Sequence, residues 1–291
     1  MSALVRWLSR RPLWLLHRLG GFVGWLSYGL SPGYRQRFRA NAKLAGVPEA
    51  ALRPAIAEAG RMALELPFLW LRPRTQPVGP VLVLHGDDLV EAAHAQGRGI
   101  VFLTPHMGCF EVTAQAIAER FAARQGPITV LYRPARQAWL RALMDGSRAR
   151  PGLAAVPATL AGVRQLIRAL RRGEAVGLLP DQVPPEGMGV WAPFFGQPAY
   201  TMTLAARLVQ QTGAVPLLVW GERLPRGAGY AVRFCAFDET LPADQGAQAE
   251  SAAAINRAME RLILQCPQQY LWGYNRYKPP RAPVDGEAAQ S

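Results

Sequence analysis

The residues best suited to chemistry lie in the segment IVFLTPHMGCFE, where four residues separate His106 from Glu111. The apolar run before them predicts a buried strand that ends at Thr104, so His106 follows at the carboxyl end of a strand, the edge that usually carries the site of an α/β sheet. Gly108 lets the chain turn tightly before a predicted helix that carries Glu111. The carboxylate could then fix one imidazole nitrogen while the other nitrogen takes a proton from a hydroxyl group.

A histidine beside a helix-capping glutamate gives the same spacing, so the motif alone leaves a structural role open. The sequence has no G-x-S-x-G nucleophile elbow. Cys109 lies inside the motif, but nothing around it completes a cysteine–histidine set, and we interpret it as a packing residue. His85 and His94 lack the spacing of metal ligands, so we expect no metal. A base without a protein nucleophile favours direct transfer of a group to a hydroxyl of the substrate.

Short apolar runs alternate with amphipathic segments from residue 81 onward, which predicts a layered α/β fold. Strands are predicted at 81–84, 100–104, 128–132, 175–179, 214–222 and 230–237, and helices at 87–96, 110–124, 138–148, 160–172, 201–212 and 249–266. We divide the chain into an N-terminal basic and apolar helix (1–37), a helical segment and linker (38–80), the main domain (81–278) and a disordered tail (279–291).

The segment Leu13–Leu30 is almost long enough to span a bilayer, but His17 and Arg18 interrupt it. Cations and interfacial aromatic residues flank it, and no small-x-small site follows that would indicate a cleaved signal peptide. A helix in a soluble core is the alternative. We favour a membrane helix, either a short span or one lying in the interface, and the basic cluster favours an anionic cytoplasmic leaflet.

The charge of the chain is concentrated in two zones. The 291 residues include 33 Lys and Arg against 20 Asp and Glu, and half of the chain is hydrophobic, which excludes a disordered chain. Residues 1–48 hold eight cations and no acid, and residues 120–172 hold eleven cations and one acid. Such zones attract nucleic acid, anionic lipid or acidic proteins. The three cysteines lie far apart, which suits a reducing compartment.

Five blocks in a fixed order resemble a known family. They are HMGCFE (106–111), YRP (132–134), PDQ (180–182), APFFGQPAYT (192–201) and YLWGYNRYKPP (270–280). Together they resemble the late acyltransferases of lipid A biosynthesis, the lauroyl and myristoyl transferases of the lysophospholipid-acyltransferase-like superfamily. The resemblance covers nearly the whole chain. It implies a mixed, mostly parallel sheet flanked by helices, with an N-terminal membrane-associated helix, on the cytoplasmic face of the bacterial inner membrane.

The resemblance also implies the reaction and its residues. An acyl chain would move from acyl carrier protein to a hydroxyl of a lipid A precursor, without a cofactor, with His106 as general base and Glu111 as its orienting carboxylate. Side chains expected to bind phosphate, sugar or acceptor hydroxyls are Arg133, Arg148, Arg150, Asp181 and Arg276. Asp181 could instead order one of the arginines of the site. The expected partners are acyl carrier protein, anionic lipid and the lipid A precursor, with no nucleic acid.

Several alternatives stay open. An enzyme of the same superfamily could use another glycolipid, an aminolipid or a lysophospholipid as acceptor. The same dyad could activate water in a thioesterase, or the basic zones alone could serve a non-enzymatic protein that binds membranes or nucleic acid. The aromatic block VWAPFFG (190–196) could form core or line an acyl channel. Acyl chain length and oligomeric state are left open.

Overall fold

The computed structural model of the protein describes residues 3–73, 76–78, 82–132 and 150–282. The predicted helix at 138–148 lies outside these residues, as do Arg133 and Arg148 and most of the predicted tail. The division of the chain at residues 37 and 80 stays a prediction.

Four helices precede the sheet: α1 (Ala3–Ser9), α2 (Leu13–Leu30), α3 (Pro32–Leu44) and α4 (Glu49–Leu71). Helix α2 packs along α4, and glycines on both helices allow their backbones to touch. A Cβ atom on Gly24 would lie 2.2 Å from the carbonyl oxygen of Ile56, and one on Gly60 would lie 2.0 Å from the carbonyl oxygen of Gly20. A side chain at any of these glycines would therefore force the two helices apart.

The opposite side of α2 carries large apolar side chains that the described part of the chain leaves exposed: Trp14, Phe22, Trp25, Leu26 and Leu30. Within the residues that the structure describes, no helix has both the length and the apolar character needed to cross a membrane. The membrane span considered from the sequence is therefore not found there.

Seven strands form one sheet in the described part of the chain. They are β1 (Leu82–His85), β2 (Ile100–Leu103), β3 (Ile128–Tyr132), β4 (Leu153–Pro157), β5 (Ala175–Leu178), β8 (Val215–Arg223) and β9 (Tyr230–Ala236). Their order is β1-β9-β8-β2-β5-β3-β4, and only the β8–β9 pair among them is antiparallel. The prediction of a mixed, mostly parallel sheet flanked by helices is confirmed.

Within the described residues, five helices flank this sheet: α5 (Asp87–Ala95), α6 (Phe110–Gln125), α7 (Leu160–Arg171), α8 (Leu204–Thr212) and α9 (Gln248–Gln265). The side chains between α6 and the sheet form one buried cluster, which includes Ile117 and Phe121. A second cluster holds α7, α8 and α9 against the other face, through residues such as Leu166, Leu208 and Met259. Because both faces are covered, the carboxyl ends of the parallel strands form the accessible edge.

Two elements differ from the sequence prediction. Strand β4 was missed because it is short and directly follows Pro151 and Gly152, which are typical of a loop. A separate antiparallel hairpin, β6 (Gly189–Phe194) and β7 (Gln197–Met202), occupies the aromatic block and the start of the helix predicted at 201–212. That helix begins only at Leu204, because Thr201 and Met202 still pair with β6.

Candidate active site

His106 and Asp181 meet because their strands are neighbours in register. Leu103 of β2 pairs with Leu178 of β5 in parallel, and each polar residue follows its strand by three positions. The Nδ1 atom of His106 lies 2.7 Å from Oδ1 of Asp181, and the backbone N–H of His106 donates to Oδ2 at 2.9 Å. One carboxylate therefore holds both the main chain and the ring of the histidine.

The surroundings of Asp181 keep it ionised. Its side chain is 2% exposed, and although burial by itself raises the pKa of this carboxyl, His106 and then Arg276 hold the pKa below its usual value. An ionised carboxylate only accepts hydrogen bonds, so the Nδ1 atom that faces it carries a proton. The Nε2 atom of His106 is then the nitrogen left to accept a proton, on a side chain that is 18% exposed.

Glu111 lies in the first turn of α6, where a carboxylate suits the positive end of the helix dipole. It is half-buried and lines the same cavity as His106. The sequence predicted that Glu111 orients the histidine, whereas in the structure it is Asp181 that takes Nδ1. The signal for Asp181 was the PDQ block directly after a buried strand, but the sequence did not show that this strand lies next to β2.

The loop between His106 and α6 is fixed by main-chain contacts with the end of β8. Cys109 donates its N–H to the carbonyl of Gly221 at 2.8 Å, and Gly108 donates to the carbonyl of Gln269 at 2.9 Å. Gly108 has a φ of +55°, and a Cβ atom there would lie 2.0 Å from the carbonyl oxygen of Gly221. Only glycine fits both the backbone angle and the space.

A buried ionic cluster supports this loop from behind. Nη2 of Arg223 donates to the carbonyl oxygen of Gly108 at 2.8 Å and to Oε1 of Glu65 at 2.8 Å. Arg223 also pairs with Glu58, while Oε2 of Glu65 lies 3.2 Å from Nε2 of His17 and accepts from the hydroxyl of Tyr230 at 3.2 Å. Helices α2 and α4 are thus joined to the His106 loop through side chains.

Burial and neighbouring charges set the protonation of Glu65 and Cys109 in this region. Burial by itself raises the pKa of Glu65, but Arg223 and His17 lower it overall, so the carboxylate is ionised. Burial raises the pKa of Cys109 well above that of a free thiol, which keeps it protonated. A protonated, fully buried thiol is a poor nucleophile, which agrees with the interpretation of Cys109 as a packing residue.

A cavity of about 730 Å³ opens beside His106 and reaches both faces of the sheet. We call the part between the sheet and α6 the α6 arm; its lining includes Ala114, Ile117, Ile128, Val130, Leu153 and Gly177. We call the part on the other face the α7–α8 arm; its lining includes Ala158, Val163, Arg164, Leu204, Arg207 and Gln211. The α6 arm is mainly apolar, with Thr113 and Gln115 as polar lining residues on α6, whereas the α7–α8 arm combines apolar and cationic side chains.

A histidine that faces a cavity with one mainly apolar and one cationic arm suits transfer between a lipid-like group and a charged one. Residues 3–279 match the family model described as bacterial lipid A biosynthesis acyltransferase. The chain belongs to this family. The family resemblance read from the sequence is thereby confirmed, and the chain is an acyltransferase.

The curated relatives are distant. Over 220 residues the acyltransferase is 26% identical to the lipid A biosynthesis palmitoleoyltransferase of Escherichia coli (strain K12), covering 75% of this chain and 68% of that protein. Over 195 residues it is 28% identical to the lipid A biosynthesis lauroyltransferase of the same strain, covering 66% of this chain and 60% of that protein. A lipid A biosynthesis acyltransferase of Haemophilus influenzae is 25% identical over 190 residues, which cover 64% of this chain and 56% of that protein.

The arginines predicted to bind substrate in the acyltransferase occupy buried positions where they are described. Arg150 donates to the carbonyl of Leu69 at 2.9 Å and so holds the end of α4. Arg276 donates to the carbonyl of Tyr200 and to Oγ1 of Thr201, both at 2.7 Å. Substrate binding by these arginines stays a prediction. Arg164 and Arg207, which do line the cavity, were not singled out from the sequence because nothing in their spacing marks them.

The aromatic block of the acyltransferase packs mainly into the core. Phe194 is buried, with the guanidinium of Arg276 5.0 Å from the centre of its ring, and Phe195 packs partly buried against the same cluster. Trp191 is exposed on the hairpin. These positions favour the core interpretation over an acyl channel. Among the described residues, no three His, Cys, Asp or Glu side chains are grouped as metal ligands would be.

Proposed function

We propose that this acyltransferase moves a fatty acyl chain from acyl carrier protein to a hydroxyl of a lipid A precursor, with His106 as general base. The observation that supports it most is the His106–Asp181 pair, which leaves Nε2 available at a cavity with an apolar arm. The family and the printed names of its relatives support acyl transfer in lipid A biosynthesis.

In the proposed reaction, Nε2 of His106 takes the proton of the acceptor hydroxyl while the hydroxyl oxygen attacks the carbonyl carbon of the thioester. Asp181, hydrogen-bonded to Nδ1, stabilises the imidazolium that forms. When the tetrahedral intermediate collapses, the carbon–sulfur bond breaks and the thiolate of the carrier takes the proton from His106. The products are the new ester and the free thiol, and the histidine returns to its starting state.

In the proposed reaction, Glu111 and Asp181 lie on different sides of the site and have different roles. It begins α6 on the wall of the cavity, so it meets the substrate side of the site rather than the buried side. We propose that His106 and Glu111 act together there, with Asp181 holding the imidazole from behind. Glu111 would then orient the imidazole or the acceptor hydroxyl.

The cations at the cavity suit both proposed substrates. Arg164 and Arg207 line the α7–α8 arm, and a guanidinium can bind phosphate with two parallel hydrogen bonds. Acyl carrier protein is small and acidic, so the basic zone at 120–172 would attract it. Arg133, Arg148, Arg150 and Arg276 belong to the same proposal as ligands of the acceptor.

We also infer that α2 lies on the cytoplasmic face of the inner membrane. Its exposed side holds Trp14, Phe22, Trp25 and Leu30 in one helix, and an uncovered apolar surface of this kind is typical of a membrane contact. The cations at residues 6–18 and 35–43 flank this surface and would bind anionic headgroups.

The test mixes the purified full-length protein with acyl carrier proteins that carry different chains and with a tetraacylated lipid A precursor, and the products are weighed. We expect a product heavier by one acyl chain. Free fatty acid with no acylated lipid would support a thioesterase instead. Acylation of a lysophospholipid or another glycolipid, but not of the precursor, would support a superfamily member with that acceptor.

A further inference from the structure

A glycine in a central strand borders the cavity. Gly177 belongs to β5, which lies between β2 and β3 in the sheet. Its neighbours Val176 and Leu178 are buried, yet Gly177 is partly exposed because it faces the cavity. Central parallel strands usually carry large branched residues, and glycine weakens them, so a glycine here indicates that space is needed.

The missing side chain opens the α6 arm. A Cβ atom on Gly177 would lie 3.2 Å from Cγ1 of Val130 and 3.6 Å from Cδ1 of Ile128, so it would enter the side of the sheet that faces α6. Ala114 and Ile117 line the arm from α6. The arm is therefore a slot between the sheet and the helix, widened where β5 has no side chain.

The register places Gly177 partway along this slot. It pairs with Phe102 and Val130, while Ile128 and Leu153 pair with each other one layer deeper. Asp181 lies four residues nearer the edge, roughly 13 Å at the rise of an extended strand. A chain that enters beside His106 therefore passes Gly177 before it reaches Ile128 and Leu153.

We propose that Gly177 determines how long an acyl chain the α6 arm accepts; this rests on the proposed acyl transfer. The apolar lining of the α6 arm suits a hydrocarbon chain, whereas Arg164 and Arg207 make the other arm suited to charged groups. A side chain at position 177 would block the slot at its middle layer. Donors whose chains end before they reach the layer of Gly177 would still react. For longer donors, the methylenes beyond that layer would no longer be buried in the slot.

The experiment offers the full-length protein an equal mixture of acyl carrier proteins whose chains differ by two methylenes, and the acylated lipids are weighed. For Gly177→Ala, and more strongly for Gly177→Val, we expect the ratio of the longest product to the next shorter one to fall about tenfold. This magnitude follows from about 0.8 kcal/mol for each methylene that is no longer buried. Loss of stability alone would lower all products together and leave the ratio unchanged.

Two further variants make the result specific. Ala158→Val adds bulk in the α7–α8 arm and should leave the ratio unchanged. Val130→Ala widens the α6 arm without any change at Gly177, so it should shift the ratio toward longer chains even if the Gly177 variants fold poorly. An unchanged ratio in Val130→Ala and Gly177→Ala, or a shift in Ala158→Val of the same size, would overturn the assignment. Transfer of no chain by the unmodified protein would instead disprove the proposed function, and this inference with it.

Discussion

Two histidine–carboxylate pairs in the described part of the chain, His106–Asp181 and His17–Glu65, differ in what surrounds them. Asp181 gives both oxygens to His106, whose side chain is 18% exposed at the cavity. Glu65 divides its oxygens among His17, Arg223 and Tyr230, and the side chains of His17 and Glu65 are only 6% and 1% exposed.

The difference shows what makes such a pair a candidate catalytic site. The residue types are nearly the same, but of the two pairs only the His106 pair has a ring that reaches the cavity. The His17 pair is part of a buried cluster in which Arg223 compensates the charge of Glu65. Because Arg223 also binds the carbonyl of Gly108, the second pair supports the loop that carries the first.

The largest expected effect separates the two histidines. His106→Ala should lower the kcat of the folded protein about a thousandfold, because a general base contributes about 10²–10⁴-fold. His17→Ala removes a buried hydrogen bond, so it should lower the unfolding temperature while folded protein keeps most of its kcat. Product formation and thermal unfolding of both variants measure this. Equal losses of kcat at equal folded fractions would mean that the two pairs do not differ in this way.

The next effect concerns the two carboxylates near His106. Asp181→Asn keeps the shape of the side chain but removes the charge that fixes the tautomer, so kcat should fall by about a hundredfold with a smaller change in KM. Glu111→Gln should lower kcat less, since Glu111 does not hold Nδ1. Steady-state kinetics of the two matched variants decide between them. A larger loss in Glu111→Gln would restore the role that the sequence predicted for Glu111.

A third effect tests the supporting cluster by stability. Arg223→Met leaves the buried Glu65 without its arginine, so the free energy of unfolding should fall by about 3–5 kcal/mol. Arg233→Met is the matched control, because Arg233 pairs with Glu222 on a side chain that is 37% exposed. Such a pair contributes about 0–1 kcal/mol. Denaturant unfolding compares them, and similar losses would show that Arg223 is no more important than a surface cation.

The smallest effect is the pH dependence of that cluster. The folded state lowers the pKa of Glu65 below its usual value of 4.5, so its ionisation stabilises the fold fully above pH 4.5. This contribution is lost as the pH falls below 4.5 through the lowered pKa. The difference in unfolding free energy between the unmodified protein and Glu65→Gln should therefore be constant above pH 4.5 and shrink in more acidic buffer. A difference that grows on acidification would contradict an ionised Glu65.

The local sequence pattern predicted the strand and the turn that hold His106, but it did not predict that Asp181 is the partner of this histidine. The apolar run at 100–103 and the turn at Gly108 are local signals, and the structure has the strand and the turn there. That Asp181 faces His106 depends on β5 lying next to β2, an arrangement made by packing rather than by any neighbouring residue. In the sequence, His17 is only a polar residue that interrupts an apolar helix. Its partner Glu65 lies 48 residues away on another helix, so no local pattern connects the two.

The hairpin β6–β7 shows a second limit. Pro193 and Pro198 weakened any strand signal there, yet the two residues face each other across an isolated two-stranded ladder. The turn depends on Phe195 at a φ of +46° and Gly196 at +74°. Phe195 has its N–H fixed by Glu260 of α9 at 2.7 Å, a contact that no local pattern contains.

Because glycines form the contact between α2 and α4, the packing side and the exposed side of α2 meet separate requirements. At Gly20, Gly24 and Gly60 the helices meet backbone to backbone, so the angle between them does not depend on which side chains cover the rest of α2. The exposed side of α2 is therefore free to change its composition, while the three glycines must stay. Among relatives, we expect substitutions to accumulate on that side and the spacing of the glycines to persist.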